Sequence, residues 1–322
     1  MKSHFRYATR LNSMKARPDL YTWRSGRVDL RGMLERMDLI KGLDGLYINY
    51  PEHFVGDNKA MISDWLASSK LQFFGLNMRF PDQEFGDGGL TNPSGALRTR
   101  AIDLCKRAVD DCRALGGDEV VIWPAQDGCD YPMQTDHEIL WQHTLEGLAA
   151  VAEYGADLKI SVEMKPAEPR RRSLLDSTAT TLLAVNSLGH ANLGLTLDYC
   201  HMLMAHDQPS MSAVHCLRQG KLFGMHMNDG HGSLDDGLAI GSVTPAETLE
   251  LIHYLRQFRF DGVIYFDTFP VREDPVKECE LNIAQMEGFS RQLDRVDQAR
   301  LQVLRSQHDA IGVIRLLNEA KP

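Results

Sequence analysis

Apolar residues along this chain gather into short runs. Eight of them, near 5–12, 45–50, 71–80, 119–124, 158–166, 193–201, 221–229 and 262–270, are rich in β-branched or large side chains and bounded by Gly, Pro or charge. Such runs predict buried β-strands. Between them the apolar residues recur at helical spacing, near 29–41, 57–69, 94–116, 136–155, 177–189, 209–219, 244–258 and 274–292. Local signals agree. Thr244-Pro245-Ala246-Glu247 offers an N-cap, a first-turn proline and a capping-box acid, and Leu249, Ile252, Leu255 and Phe258 follow as a stripe. Leu115-Gly116-Gly117 reads as a helix stop before the strand-like Glu119-Val-Val-Ile-Trp-Pro. Eight strand–helix alternations predict an α/β fold, a (β/α)8 TIM barrel over 1–292, with right-handed crossovers. The charged amphipathic stretch 293–322 is expected to form a C-terminal helical extension, packed on the barrel or on a second subunit.

The strand tails carry the chemistry. Ser-Val-Glu-Met-Lys-Pro brings Glu163 and Lys165 to the end of the fifth run, and Leu-Gly-Leu-Thr-Leu-Asp-Tyr-Cys-His brings Asp198 and His201 to the sixth. The seventh ends on His226, Asn228 and Asp229, and the eighth on Asp267. Ionisable groups inside buried runs are costly unless a metal, a partner or a substrate compensates them. A barrel brings the carboxyl ends of its strands to one mouth, so these groups should converge. Glu163, Asp198, His226 and Asp267, three carboxylates and an imidazole, form a hard-leaning donor set suited to Mn²⁺, with Mg²⁺ or Co²⁺ as alternatives. Each of the four taken alone also reads as a buried ion pair or a helix cap.

Lys165 lies two residues past Glu163, on the same side of the strand, where its ammonium suits a developing alkoxide; a salt bridge to Glu163 or Asp198 is the plainer reading. His201 is placed to ligate a second metal or to support the first. Asp235 and Asp236 lie in a Gly-rich acidic loop that also reads as a solvated turn. Trp123 is an apolar wall for a substrate or ordinary core. Arg10, Asn49, His53, Asn77 and Arg79 end or follow the first three strands, and with Asn228 they are candidates for contacts to substrate hydroxyls.

Composition narrows the classes. The 322 residues are 43% hydrophobic and 25% charged, with net charge −9, so no basic footprint for nucleic acid is present. No apolar stretch approaches the roughly 20 residues of a membrane span, and Met-Lys-Ser-His-Phe-Arg lacks the apolar core of a signal peptide. The six cysteines form no Cys-x-x-Cys pair and are expected to be reduced and buried, in a cytoplasmic protein.

Several motifs resemble the xylose isomerase-like family, in the branch of L-rhamnose isomerase and the ketose 3-epimerases. The sharpest is Glu163-Met-Lys165-Pro166-Ala-Glu168-Pro169-Arg170, which is similar to the family's Glu-Pro-Lys-Pro-Asn-Glu-Pro-Arg. Gly88-Gly89-Leu90-Thr91 with Arg98, Trp123 with Asp127-Gly128, and Phe266-Asp267 with Pro270 add to it, so the resemblance spans about 5–292. It implies that Glu163, Asp198, His226 and Asp267 hold the structural metal that grips two sugar oxygens. It implies a second, catalytic metal on Asp198, His201 and an Asp-x-Asp pair, which here reads Asp235-Asp236-Gly237, with Asp236 as the possible replacement ligand. Asn49 stands where the family has a strand-two His, with His53 nearby. Both departures bear on the second ion and the hydride shift, and neither touches the first site. Asp267, where the 3-epimerases carry a basic Glu, points to the isomerase side.

The expected function is thus a metal-dependent aldose–ketose isomerase of an unphosphorylated monosaccharide, with Glu163, Lys165, His201 and Asp267 as catalytic groups, and a homo-oligomer. Alternatives are a ketose 3-epimerase, a lyase like the large subunit of C-glycoside deglycosidases (which needs a small partner subunit), and a non-catalytic sugar-binding barrel.

Overall fold

The computed structural model describes residues 4–20 and 29–321; residues 1–3, 21–28 and 322 of the expected units lie outside these. Strands β1 (Arg6–Arg10), β2 (Gly45–Tyr50), β3 (Gln72–Arg79), β4 (Glu119–Trp123), β5 (Lys159–Glu163), β6 (Leu193–Asp198), β7 (Leu222–Met227) and β8 (Val263–Phe266) close into one parallel barrel, with β8 paired back to β1. Helices α1 (Leu30–Met37), α2 (Asn58–Ser68), α3 (Gly95–Ala114), α4 (His137–Tyr154), α5 (Thr178–Leu188), α6 (Pro209–Arg218), α7 (Pro245–Gln257) and α8 (Pro275–Arg295) follow the strands in turn. Strand and helix order are as the apolar pattern predicts. Apart from β2, the strands stop earlier than their apolar runs. The sixth run, expected to 201, leaves the sheet after Asp198 because that carboxylate accepts the backbone N–H of His201 at 3.0 Å and starts a short helix, Tyr199–Met204.

Side-chain caps fix several helix starts: Asp29, Asp136, Ser177 and Asp274 each accept a backbone N–H in the first turn of α1, α4, α5 and α8. The capping box expected at Thr244 does not form. Its hydroxyl donates instead to Asp229 at 2.7 Å, and Asp229 also accepts the backbone N–H groups of Val243 and Thr244 at 2.8 and 3.0 Å. Asp229 thereby ties the long β7–α7 loop to the strand end.

Period-two alternation decides which side chains reach the site. On β6, Leu193, Leu195 and Leu197 belong to the large core beneath the helices, leaving Gly194, Thr196 and Asp198 for the barrel interior. The same phase directs Ser161 and Glu163 of β5, Gly224 and His226 of β7, and Tyr265 of β8 inward. Low in the barrel, Ala8, Tyr47, Phe74, Val121, Val263 and Tyr265 pack together, and Tyr47 and Tyr265 meet edge to face at 5.6 Å. Glu119 lies buried beside them and accepts from the Tyr47 hydroxyl at 2.6 Å and the Ser161 hydroxyl at 2.7 Å, so this inner acid is satisfied.

The C-terminal pair, α9 (Gln298–Ser306) and α10 (Ala310–Glu319), packs on the outside of the barrel. Val296, Leu301, Leu316 and Ala320 make a small core of their own, and Gln292 of α8 donates to the Leu317 carbonyl at 3.1 Å. Helix α8 runs through residue 292 to Arg295 before this pair begins. Among the described residues, no helix is long and apolar enough to cross a membrane.

Candidate metal centre

Glu163 and Asp198 close β5 and β6, His226 is the last residue but one of β7, and Asp267 follows β8 by one residue. Asp198 stands level with His226 in the ladder between β6 and β7, and His226 level with Tyr265 in the next. Inward phase and matched register bring one donor atom of each of the four to within 4.8 Å of the others, all in buried side chains. The His226 Nδ1 lies 3.4 Å from Glu163 Oε1. Neither His226 Nδ1 nor Asp267 Oδ1 has a hydrogen-bond partner. A buried imidazole nitrogen and a buried carboxylate oxygen, both without hydrogen bonds, are what a cation-binding cage presents, and the residues fit a divalent ion.

Burial and mutual charge shift three of the four groups. Burial pushes the Asp198 carboxyl up to about 7, helped by Asp235, Asp267 and Glu163 and opposed by the charge of His201. Burial also acts upward on Glu163, but His226, then His201 and Arg79, outweigh it and hold that carboxyl at about 2. His226 is raised: burial lowers it, and Glu163, Asp267 and Asp198 more than reverse this.

A second group, Asp198, His201 and Asp235, adjoins the first through Asp198. His201 Nδ1 faces the Met164 carbonyl at 2.9 Å and its Nε2 faces Asp235 Oδ2 at 3.3 Å. Both ring nitrogens meet acceptors, an arrangement that favours the imidazolium. Burial would lower it, yet Asp198, Asp235 and Glu163 lift it to about 9. Lys165 meets the same Asp235 Oδ2 at 2.9 Å and Glu168 Oε2 at 3.0 Å. Its partners are thus Asp235 and Glu168, where the sequence pointed to Glu163 or Asp198. They raise the ammonium's pKa against the effect of burial.

Asp236 stands apart from this group, its carboxylate accepting the His231 N–H at 2.7 Å across its own loop. Gly237 sits at φ +57°, and a Cβ there would come within 2.4 Å of the Phe269 ring, so an aspartate at this position has no room. Asn228, expected at the substrate, is fully buried and spent on structure. Its amide donates to Asp198 at 3.1 Å and to the Asp267 carbonyl at 3.1 Å, while its oxygen accepts the Cys200 N–H at 2.9 Å. It holds two of the cage residues in place.

The other candidates line the mouth. Arg10 Nε lies 3.5 Å from Asp267 Oδ1, with its guanidinium 4.5 Å from the Phe269 ring centroid. Trp123 ends β4, and both Lys165 Nζ (5.3 Å) and the Arg79 guanidinium (4.9 Å) approach its ring. Asn49 and His53 are buried at the end of β2; burial lowers the His53 pKa and its Nε2 has no hydrogen-bond partner. Asn77 on β3 likewise keeps an unpartnered Oδ1.

Two contributors were not singled out from the sequence. Glu168, three residues after Lys165, orients the ammonium; its signal was the spacing inside the Glu163–Arg170 motif. Asp127, noted only for its resemblance, accepts the N–H groups of Gly89, Leu90 and Thr91 at 2.9, 3.2 and 2.9 Å and pins that loop under the mouth.

The model of the family described as xylose isomerase-like TIM barrel matches residues 51–287. The xylose isomerase of Thermus thermophilus is 27% identical over 205 residues, 61% of this chain and 52% of that protein, so the chain spans about half the length of the curated relatives it matches. Among solved structures, the D-allulose 3-epimerase from Methylomonas sp. is similar at a TM-score of 0.71 and 15% identity, covering 88% of this chain and 98% of its own. A D-tagatose 3-epimerase-like protein is similar at 0.69 and 19%, covering 90% and 100%.

Proposed function

The chain belongs to the xylose isomerase-like TIM-barrel family, and on that footing we propose that it is a divalent-metal-dependent isomerase of an unphosphorylated sugar, exchanging a carbonyl with the hydroxyl beside it. The observation that carries this reading is the four-residue cage at the carboxyl ends of β5–β8, two of whose buried polar atoms have no hydrogen bond. The all-oxygen-and-imidazole donor set favours Mn²⁺, with Mg²⁺ or Co²⁺ as substitutes. A divalent cation held by these four residues would supply Lewis-acid polarisation of the sugar carbonyl.

The chain's own residues supply the rest. Lys165, kept protonated by Asp235 and Glu168, donates to the oxygen on which negative charge develops. Asp267, which gives one carboxylate oxygen to the cage, has a second oxygen to take a proton from carbon and to return it. His201 and Lys165, both cationic, sit against Oδ2 of Asp235 and leave a second ion only its Oδ1, which has no hydrogen-bond partner. This supports one ion per chain and a proton route through an enediolate rather than a hydride shift. Epimerisation shares the same first step and differs only in where the proton returns.

The test is turnover in heavy water, with free pentoses and hexoses and with keto-glycosides, on protein stripped by chelator and reconstituted with Mn²⁺. Activity should vanish on stripping and return with the ion, and the product should carry solvent deuterium on carbon. Activity in a chelator-stripped, metal-free sample would overturn the metal reading, and a product free of solvent deuterium would overturn the proton route.

A further inference from the structure

A cavity of about 670 Å³ opens on the half of the mouth opposite the metal cage, between the ends of β2, β3 and β4 and the segment after β5. This volume lies in the range of about 300–1,000 Å³ that takes a drug-sized ligand. Its walls are apolar: Tyr50, Pro51, Val55, Phe80, Pro81 and Pro169. The carboxylates that also line it are already engaged. Glu52 is held by Asn12 at 2.9 Å and Lys15 at 3.0 Å, Asp82 accepts from Gln126 at 2.7 Å, and Glu168 pairs with Lys165 at 3.0 Å. Arg79, which also lines it, lies against the Trp123 ring, so few polar groups there are open to sugar hydroxyls. The wall is also preformed. Phe80 is buried, and the backbone of Gly89 lies so close that a Cβ would come within 2.5 Å of its ring, while Asp127 anchors that glycine.

The cavity is continuous with the site. Glu168 and Trp123 line it, and Lys165, which touches both, reaches Asp235 on the other side. We infer that this cavity is an aglycone subsite, and that the sugar handled at the cage is a glycoside bearing a flat apolar substituent, an aryl group above all. The inference rests on the proposed metal-dependent isomerase. A glycoside has its anomeric carbon locked, so the carbonyl exchanged with a neighbouring hydroxyl stands on a ring carbon. The proton leaves the hydroxyl-bearing carbon and enters the former carbonyl carbon, and the hydroxyl proton crosses to the carbonyl oxygen. The step is balanced and calls for no oxidant or co-reactant.

Calorimetry on the full chain tests this, with phenyl and methyl glycosides of glucose, galactose, mannose and xylose as matched, unreactive probes. For at least one pair the phenyl glycoside should bind at least tenfold tighter than the methyl one. Val55→Asp puts a charge on the cavity rim at a residue 62% exposed, where the fold does not depend on it. It should bring the phenyl-to-methyl ratio close to one. A ratio near one in the natural protein, silence for every pair, or a ratio untouched by Val55→Asp would overturn the inference. Titration of Mn²⁺ in the same samples separates the two claims. If Mn²⁺ binds but the phenyl preference is absent, the subsite fails and the metal reading stands. If the preference appears without Mn²⁺ binding, the metal reading fails instead.

Discussion

Glu163→Gln should strip the protein of its high-affinity divalent cation while leaving the barrel folded. Glu163 Oε1 lies 3.4 Å from His226 Nδ1 in the cage and 3.5 Å from His201 Nδ1 beside it. An amide there presents one neutral oxygen at best, and it can turn an N–H toward the two imidazoles. Residues that merely orient metal ligands cost about 10–100-fold in affinity when replaced, so loss of a ligand that also carries charge should exceed about 100-fold. Activity should fall with it. The far-ultraviolet circular dichroism should be unchanged, because β5 is paired to β4 and β6 through its backbone. The pH dependence of the natural protein gives an internal check. Asp198 holds its proton up to about 7 and His226 is raised as well, so below that range a cation must displace protons to bind. Affinity should therefore climb as pH rises through about 7. Tight cation binding by Glu163→Gln would remove this residue from the centre.

Lys165→Met should do the opposite: keep the cation and lose the chemistry. The lysine is not among the cage ligands, and its methylenes cover surface that methionine also covers. What disappears is the charged donor held by Asp235 and Glu168. Removing one such preorganised donor to a developing oxyanion costs about 10²–10³ in kcat. Mn²⁺ affinity at the four-residue cage should change little, and a weak second site should emerge at Asp235, which then faces only His201. A variant that turns over normally with the cation bound would show that the ammonium serves structure alone.

How the cage could be read from the sequence is a matter of period and phase. Glu163, Asp198 and His226 each share the inward phase of a strand whose alternate residues feed the outer core, and a closed barrel leaves those ends only one place to meet. Two residues were harder. Asn228 looked like a polar group reaching for substrate, but its position beyond the end of β7 turns it into the gap between Asp198 and the Asp267 carbonyl. Nothing in a linear string marks that gap. Asp236 and Asp235 are adjacent and chemically alike, and only the turn at Gly237, pressed against Phe269, decides that Asp235 faces His201 while Asp236 closes its own loop. The partners of Lys165 were missed for the same reason: Asp235 is 70 residues away, and the choice among nearby carboxylates is made by loop geometry. The inner acid Glu119 likewise gave no signal, since its partners Tyr47 and Ser161 come from separate strands.

The central claim is that one divalent ion sits among Glu163, Asp198, His226 and Asp267. Crystals grown with Mn²⁺ and measured at the manganese absorption edge test it most directly. The account predicts one strong anomalous peak per chain, coordinated by those four side chains, and none of comparable height beside His201 and Asp235. No peak at the four residues, or a peak of equal height at Asp235, would contradict it.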